Sequence, residues 1–159
     1  MWTPLRIEIE KIRHNFSITD AQFTPIALNE WQAVERSIFD KFVKTGPGRQ
    51  LPVWLWGNFK MDSYALQIKS PGGILSELID QDELVWFFVN ETVNEKDKFW
   101  YYRGFVKYIE VIINEAQSLD ELNWVSKKFE WMICFNHHNF LIATGSQMPE
   151  KLKAIVDVS

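Results

Sequence analysis

Leu84 to Val89 reads LVWFFV, six apolar residues in a row, closed by Glu83 on one side and Asn90 on the other. The run is of strand length, and it leaves no alternate position free for a polar, water-facing side chain. A strand of this kind is expected where both faces of a sheet are covered. The rest of the chain must therefore supply neighbouring strands and material for both sides of the sheet.

The C-terminal third supplies the most legible neighbours. LNWVS, EWMICFN and NFLIATG read as three short strands in a meander. A two-residue loop at His137-His138 would set Phe135 against Phe140 and Ile133 against Ile142. On the other face it would set Cys134 against Leu141 and Met132 against Ala143. Like-sized apolar partners at successive rungs are how cross-strand pairs stabilise a sheet, and two apolar faces place this hairpin inside the sheet. Upstream, VWLW (Val53 to Trp56), DSYALQI and KFWYY read as further strands.

The helices are marked by spacing and caps. Thr3 and Pro4 look like an N-cap and a first helical residue, followed by Leu5, Ile9, Ile12 and Phe16. Leu5, Ile7 and Ile9 also alternate as a strand would, and the length of the segment favours helix. Asn29 can cap a second helix carrying Trp31, Val34, Ile38 and Phe42. Gly46, Pro47 and Gly48 then break the chain. SPGG makes a turn before a short helical piece, ILSELI. A third helix from about Gly104 carries Phe105, Ile109, Ile112, Ile113 and Ala116, and residues 149–156 suit a last short one. The expected fold is α+β: a mainly antiparallel sheet of about five or six strands with a C-terminal meander, packed by two or three helices.

The 159 residues are expected to form a single domain, 1–159. Eight Trp and twelve Phe exceed what a core of this size needs, which leaves rings for a surface or cleft. A net charge of −4 argues against a nucleic-acid-binding module, whose footprint is a basic face. Charges interrupt the N-terminus too often for a signal core, and no apolar run reaches the ~20 residues of a membrane span. The expected location is the cytoplasm, with no membrane and no nucleic acid as partner. The single cysteine, Cys134, excludes a disulfide framework and reads as a buried apolar residue.

Two of the three histidines are adjacent, in CFNHHNF. Neighbouring residues on an extended chain point to opposite sides, so the pair does not read as a metal site. As a general acid or base, His137 or His138 needs a carboxylate, for which Glu91 and Glu130 are the candidates. There is no Gly-x-Ser-x-Gly elbow, P-loop or dinucleotide-binding glycine pattern, and no cofactor is expected. Candidate partner-binding residues are Trp54 and Trp56, at i and i+2 on one strand face, together with His137 and His138. The acids Asp80, Asp82, Glu83 and Glu91 join them, from a segment whose only base is Lys96. Such a surface suits a protein partner of basic character. The Lys127-Lys128 pair reads as a solvated turn.

VSKKFEWMICFNHHNFLIATG, with the upstream FWYYRG, resembles a bacterial family of small cytoplasmic proteins of unassigned function. The resemblance covers the last third of the chain. Some small bacterial α+β proteins of this general look are immunity proteins that neutralise toxins. The resemblance assigns no catalytic residue. The leading expectation is a non-enzymatic protein-binding domain of the immunity kind. The alternatives are a small hydrolase using His137 or His138 with a carboxylate, and a structural subunit without a ligand. The sequence leaves the oligomeric state open.

Overall fold

The computed structural model describes residues 3–45, 55–91 and 99–158. Helix α1 spans Pro4–Asn15, strand β1 Phe23–Pro25, helix α2 Trp31–Phe42 and strand β2 Ser63–Gln67. Helix α3 (Gly72–Leu78), strands β3 (Leu84–Glu91) and β4 (Trp100–Phe105) and helix α4 (Val106–Glu115) follow. The meander β5 (Leu119–Ser126), β6 (Trp131–Phe135) and β7 (Phe140–Gly145) and helix α5 (Met148–Val158) complete the α+β fold. Among the described residues no helix is long and apolar enough to cross a membrane.

Among the described residues, seven strands join one antiparallel sheet, in the order β1-β4-β3-β5-β6-β7-β2. The sheet is larger than expected because the short strand β1 pairs at one edge, while DSYALQI forms the expected strand, β2, at the other. The LVWFFV run lies between β4 and β5, and its side chains alternate between two apolar layers. Val85, Phe87 and Val89 pack with α1, α3, α4 and α5 on one face. Phe88 and Trp86 pack with α2 on the other, against Val34, Ile38, Phe39 and Phe42. Burying a large apolar side chain contributes about 1.5–3 kcal/mol, so coverage of both faces accounts for the unbroken run.

Thr3 caps α1 as expected, its Oγ1 accepting from the Arg6 backbone N–H. In α2 the cap position falls on Glu30 rather than Asn29. The third helix begins at Val106, because Phe105 still belongs to β4. Gly104 allows β1 to pair there, since a Cβ on it would sit 2.7 Å from the Phe23 ring. Of the expected VWLW strand, Val53 and Trp54 lie outside the described residues. Leu55–Gly57 is a turn of 3-10 helix, not strand.

The meander exists as expected, but its hairpin register differs by one residue. Phe135 faces Leu141, Cys134 faces Ile142 and Ile133 faces Ala143. The loop is three residues long, His137 to Asn139. The Asn139 N–H donates to the Asn136 carbonyl, and the Asn136 N–H donates to the Phe140 carbonyl. Asn139 adopts φ +64°, the left-handed conformation that closes a type I turn before a hairpin bulge, and Asn tolerates it well. The Asn136 Oδ1 then accepts from the backbone N–H groups of His138 and Phe140. These asparagine contacts fix the longer loop.

Candidate functional site

The site grows from an irregularity in the sheet. Between the pairs Val89–Leu122 and Glu91–Leu119 the register shifts, so Asp120 and Glu121 on β5 oppose the single residue Asn90 on β3. A bulge of this kind re-aims side chains that would otherwise point to opposite faces. The Glu121 N–H donates to the Oδ1 of Asn90, itself buried. At the same end of the sheet, the loop after β6 brings His137 over β5.

Nδ1 of His137 lies 2.6 Å from Oε1 of Glu121, an ion-pair geometry with a nearly inaccessible carboxylate. The Glu121 side chain is 4 % exposed and that of His137 27 %. Burial pushes the Glu121 carboxyl above its ordinary range, while hydrogen bonds from His137 pull the other way. Its second oxygen, Oε2, is buried and has no hydrogen-bond partner among the described residues. A buried carboxylate costs several kcal/mol unless paired and fully hydrogen-bonded, so this residue is an expensive choice for packing alone. With Asp120, the pair forms a group whose potential ligand atoms all lie within 4.8 Å of one another.

Trp56, on the 3-10 turn, meets both imidazoles edge-on, with ring centroids 6.4 Å from His137 and 5.9 Å from His138. The two imidazoles are themselves 3.9 Å apart, so they do not diverge as an extended chain would require. The turn conformation of the loop removes the alternation on which that expectation rested. His138 and Asn139 are exposed.

The carboxylate that meets an imidazole is Glu121, not Glu130. Glu130 is exposed in the β5–β6 turn, at the opposite end of β5, which is roughly 24 Å long at 3.4 Å per residue. The side chain of Glu91 lies outside the described residues, although its backbone ends β3 beside the site. Trp54 lies outside them as well. Asp80, Asp82 and Glu83 do not join the histidines, because they precede Leu84 at the far end of β3. There Asp82 pairs with Lys107 at 2.8 Å, and Glu83 is pushed up by burial against the pull of Lys151. The Lys127 ammonium sits 3.3 Å from the centre of the Trp86 ring rather than free in solvent. Cys134 is fully buried, and burial pushes its thiol up, so it is no nucleophile.

Sequence reasoning missed Glu121. One signal was present: LDELNWV puts Glu121, Asn123 and Val125 on one strand face, so a charged residue shares the phase of interior ones. Asn123 is buried too, its Nδ2 donating to the Phe88 carbonyl at 3.3 Å.

A second feature lies at the same sheet end. Trp100 pairs with Val89 and Pro25 with Tyr102, which carries β1 and the chain after it to that side. A groove there is lined by Arg6, Leu28, Trp31, Phe99 and Trp100, with Leu28 88 % exposed. The Arg6 guanidinium lies 4.6 Å from the centre of the Trp100 ring.

No curated protein and no solved structure matches the chain. One family profile does match, over residues 1–156, and the chain thus belongs to the family described as a family of unknown function (DUF6756).

Proposed function

We propose that the protein is a non-enzymatic protein-binding domain that engages its partner with the sheet end described above. The observation that carries this reading is the presence of two ring clusters on that one end. Leu28, Trp31, Phe99 and Trp100 line the groove near β4, and Trp56, His137 and His138 form the cluster beyond β5. Three strand spacings separate β4 from β6, about 14 Å at ~4.8 Å each. A specific interface takes about 800 Å² from each partner, which spans both clusters. Trp is enriched among interface hot spots, and the Glu121 contact holds His137 in place before any partner arrives.

The net charge of −4 favours a basic partner. The resemblance of the C-terminal third to small bacterial proteins supports the narrower form of this reading, in which the partner is a toxin neutralised in the cytoplasm. The test is co-purification with the product of the neighbouring gene, with wild-type protein against Trp31→Ala and His138→Ala. Both substitutions should weaken capture while leaving the circular dichroism spectrum unchanged. Equal capture by all three proteins sinks the proposed surface.

One observation favours a second reading, a small hydrolase. The 2.6 Å contact with a buried carboxylate orients the His137 ring, the arrangement by which a carboxylate positions an imidazole for general-base work. A panel of ester, amide and phosphoester substrates tests it. Turnover lost in both His137→Ala and Glu121→Gln supports this reading, and no turnover of any substrate by wild type removes it.

A further inference from the structure

We propose that Asp120, Glu121 and His137 form a binding site for one first-row divalent cation, of the zinc or manganese class. This inference is independent of the partner. It rests on three observations. The ligand atoms lie within 4.8 Å of one another. An ion with bonds of 2.0–2.2 Å sets neighbouring tetrahedral ligand atoms about 3.4 Å apart, so side-chain adjustments on the order of 1 Å would bring the three groups onto one ion. The second observation is the unpartnered Oε2 of Glu121 on a side chain 96 % buried, a donor the fold holds out of water with nothing bound to it among the described residues. The third is the bulge opposite Asn90, which turns adjacent residues Asp120 and Glu121 toward one point.

The donor set selects the ion. Two carboxylates balance a double positive charge, removing the penalty of an uncompensated buried anion. An imidazole nitrogen suits zinc and its neighbours better than calcium or magnesium, which favour all-oxygen surroundings. The only thiol, Cys134, is not part of the set. Binding through Nδ1 moves the ring proton to Nε2, so the short hydrogen bond to Glu121 gives way to two bonds to the ion. Asn90 and Asn136 hold the supporting backbone: Asn90 fixes the N–H of Glu121, and Asn136 fixes that of His138.

The experiment is calorimetric titration of the full chain, freed of metal by a chelator, with zinc chloride and separately with magnesium chloride. We expect one equivalent of zinc bound, a raised melting temperature with zinc and none with magnesium. Asp120→Asn and His137→Ala should each weaken zinc binding at least tenfold. Should a variant fail to fold, manganese added to wild type provides a second readout. It should broaden the His137 ring protons in the NMR spectrum well before those of His14, which is exposed on α1. Absence of zinc binding, equal binding by the variants, or equal broadening of His137 and His14 overturns the proposal.

Discussion

The phenol of Tyr101 on β4 donates a 2.8 Å hydrogen bond to Oε2 of Glu35 on α2, tying the helix to the sheet through two groups that both titrate abnormally. Burial pushes the Glu35 carboxyl above its ordinary 4.5, with the Tyr101 hydrogen bond opposing. Burial and Glu35 together push the phenol well above 10.0.

Above pH 4.5 the unfolded chain has released the Glu35 proton while the native state still holds it. The native state thus binds more protons, and stability falls as pH rises through this window. Urea unfolding at a series of pH values from 4 to 7 should show this decline, and Glu35→Gln should make it shallower. Identical slopes for the two proteins would show that Glu35 does not contribute.

Glu121→Met replaces a buried carboxylate with an apolar side chain of similar length. Replacing a whole buried ion pair by apolar residues is often neutral or stabilising by about 1–4 kcal/mol, and removing Glu121 alone leaves a partly exposed imidazole rather than a buried charge. In chelator-treated protein we expect a higher denaturation midpoint for the variant than for wild type. A loss of stability instead would mean that the Glu121–His137 contact is structural in purpose.

Gly145 ends β7 at φ +86°, and a Cβ there would lie 2.5 Å from the Glu130 carbonyl oxygen and 2.8 Å from the Trp131 Cα. Both neighbours are backbone and cannot swing away. Gly145→Ala should lose at least about 1–3 kcal/mol from conformational strain, before the clash is counted. Gly73, inside α3 with open space where its Cβ would go, is the control. Alanine there should be neutral or slightly stabilising, by up to ~1 kcal/mol. Thermal melts of the two variants separate the cases, and equal losses would contradict this account.

Lys127→Met keeps most of the aliphatic stem and removes the charge above Trp86. A cation over an indole contributes roughly 0.5–2 kcal/mol, depending on desolvation. A loss within that range is expected in 1 M salt as well as in dilute buffer, because the contact is short and partly buried. A loss that vanishes in salt would point to long-range charge effects instead.

The apolar patterns were legible because each reports burial directly. LVWFFV announced a doubly covered strand, and the spacing of Val34, Ile38 and Phe42 announced the helix on one side of it. The edge strands were harder to read. The three residues of β1, one of them Pro25, carry almost no periodicity, and β1 exists because Gly104 leaves room for Phe23. The hairpin register turned on one residue, since apolar partners match acceptably in either alignment. Asn139 in the left-handed region decided it. The site itself was illegible for a related reason: its geometry comes from a bulge, and a bulge is a relation between two strands that neither sequence carries alone. Glu130 lies on an exposed turn at the other end of β5, whereas the carboxylate that meets His137 is the interior Glu121.

The strand order has a kinetic consequence. Strands β3 to β7 pair among themselves across at most 41 residues, as Val85 does with Ser126, whereas β1 and β2 each pair with a strand about 75–80 residues away. Closing such long loops is slow, so the central meander is set to assemble first and receive its two edges later. The bulge and the histidine loop both belong to that early central unit. The edges should therefore be first to open in the native state, and β1 and β2 amides should exchange with solvent faster than those of β5 and β6. The chain thus holds Glu121, a buried carboxylate, in the portion expected to come apart last.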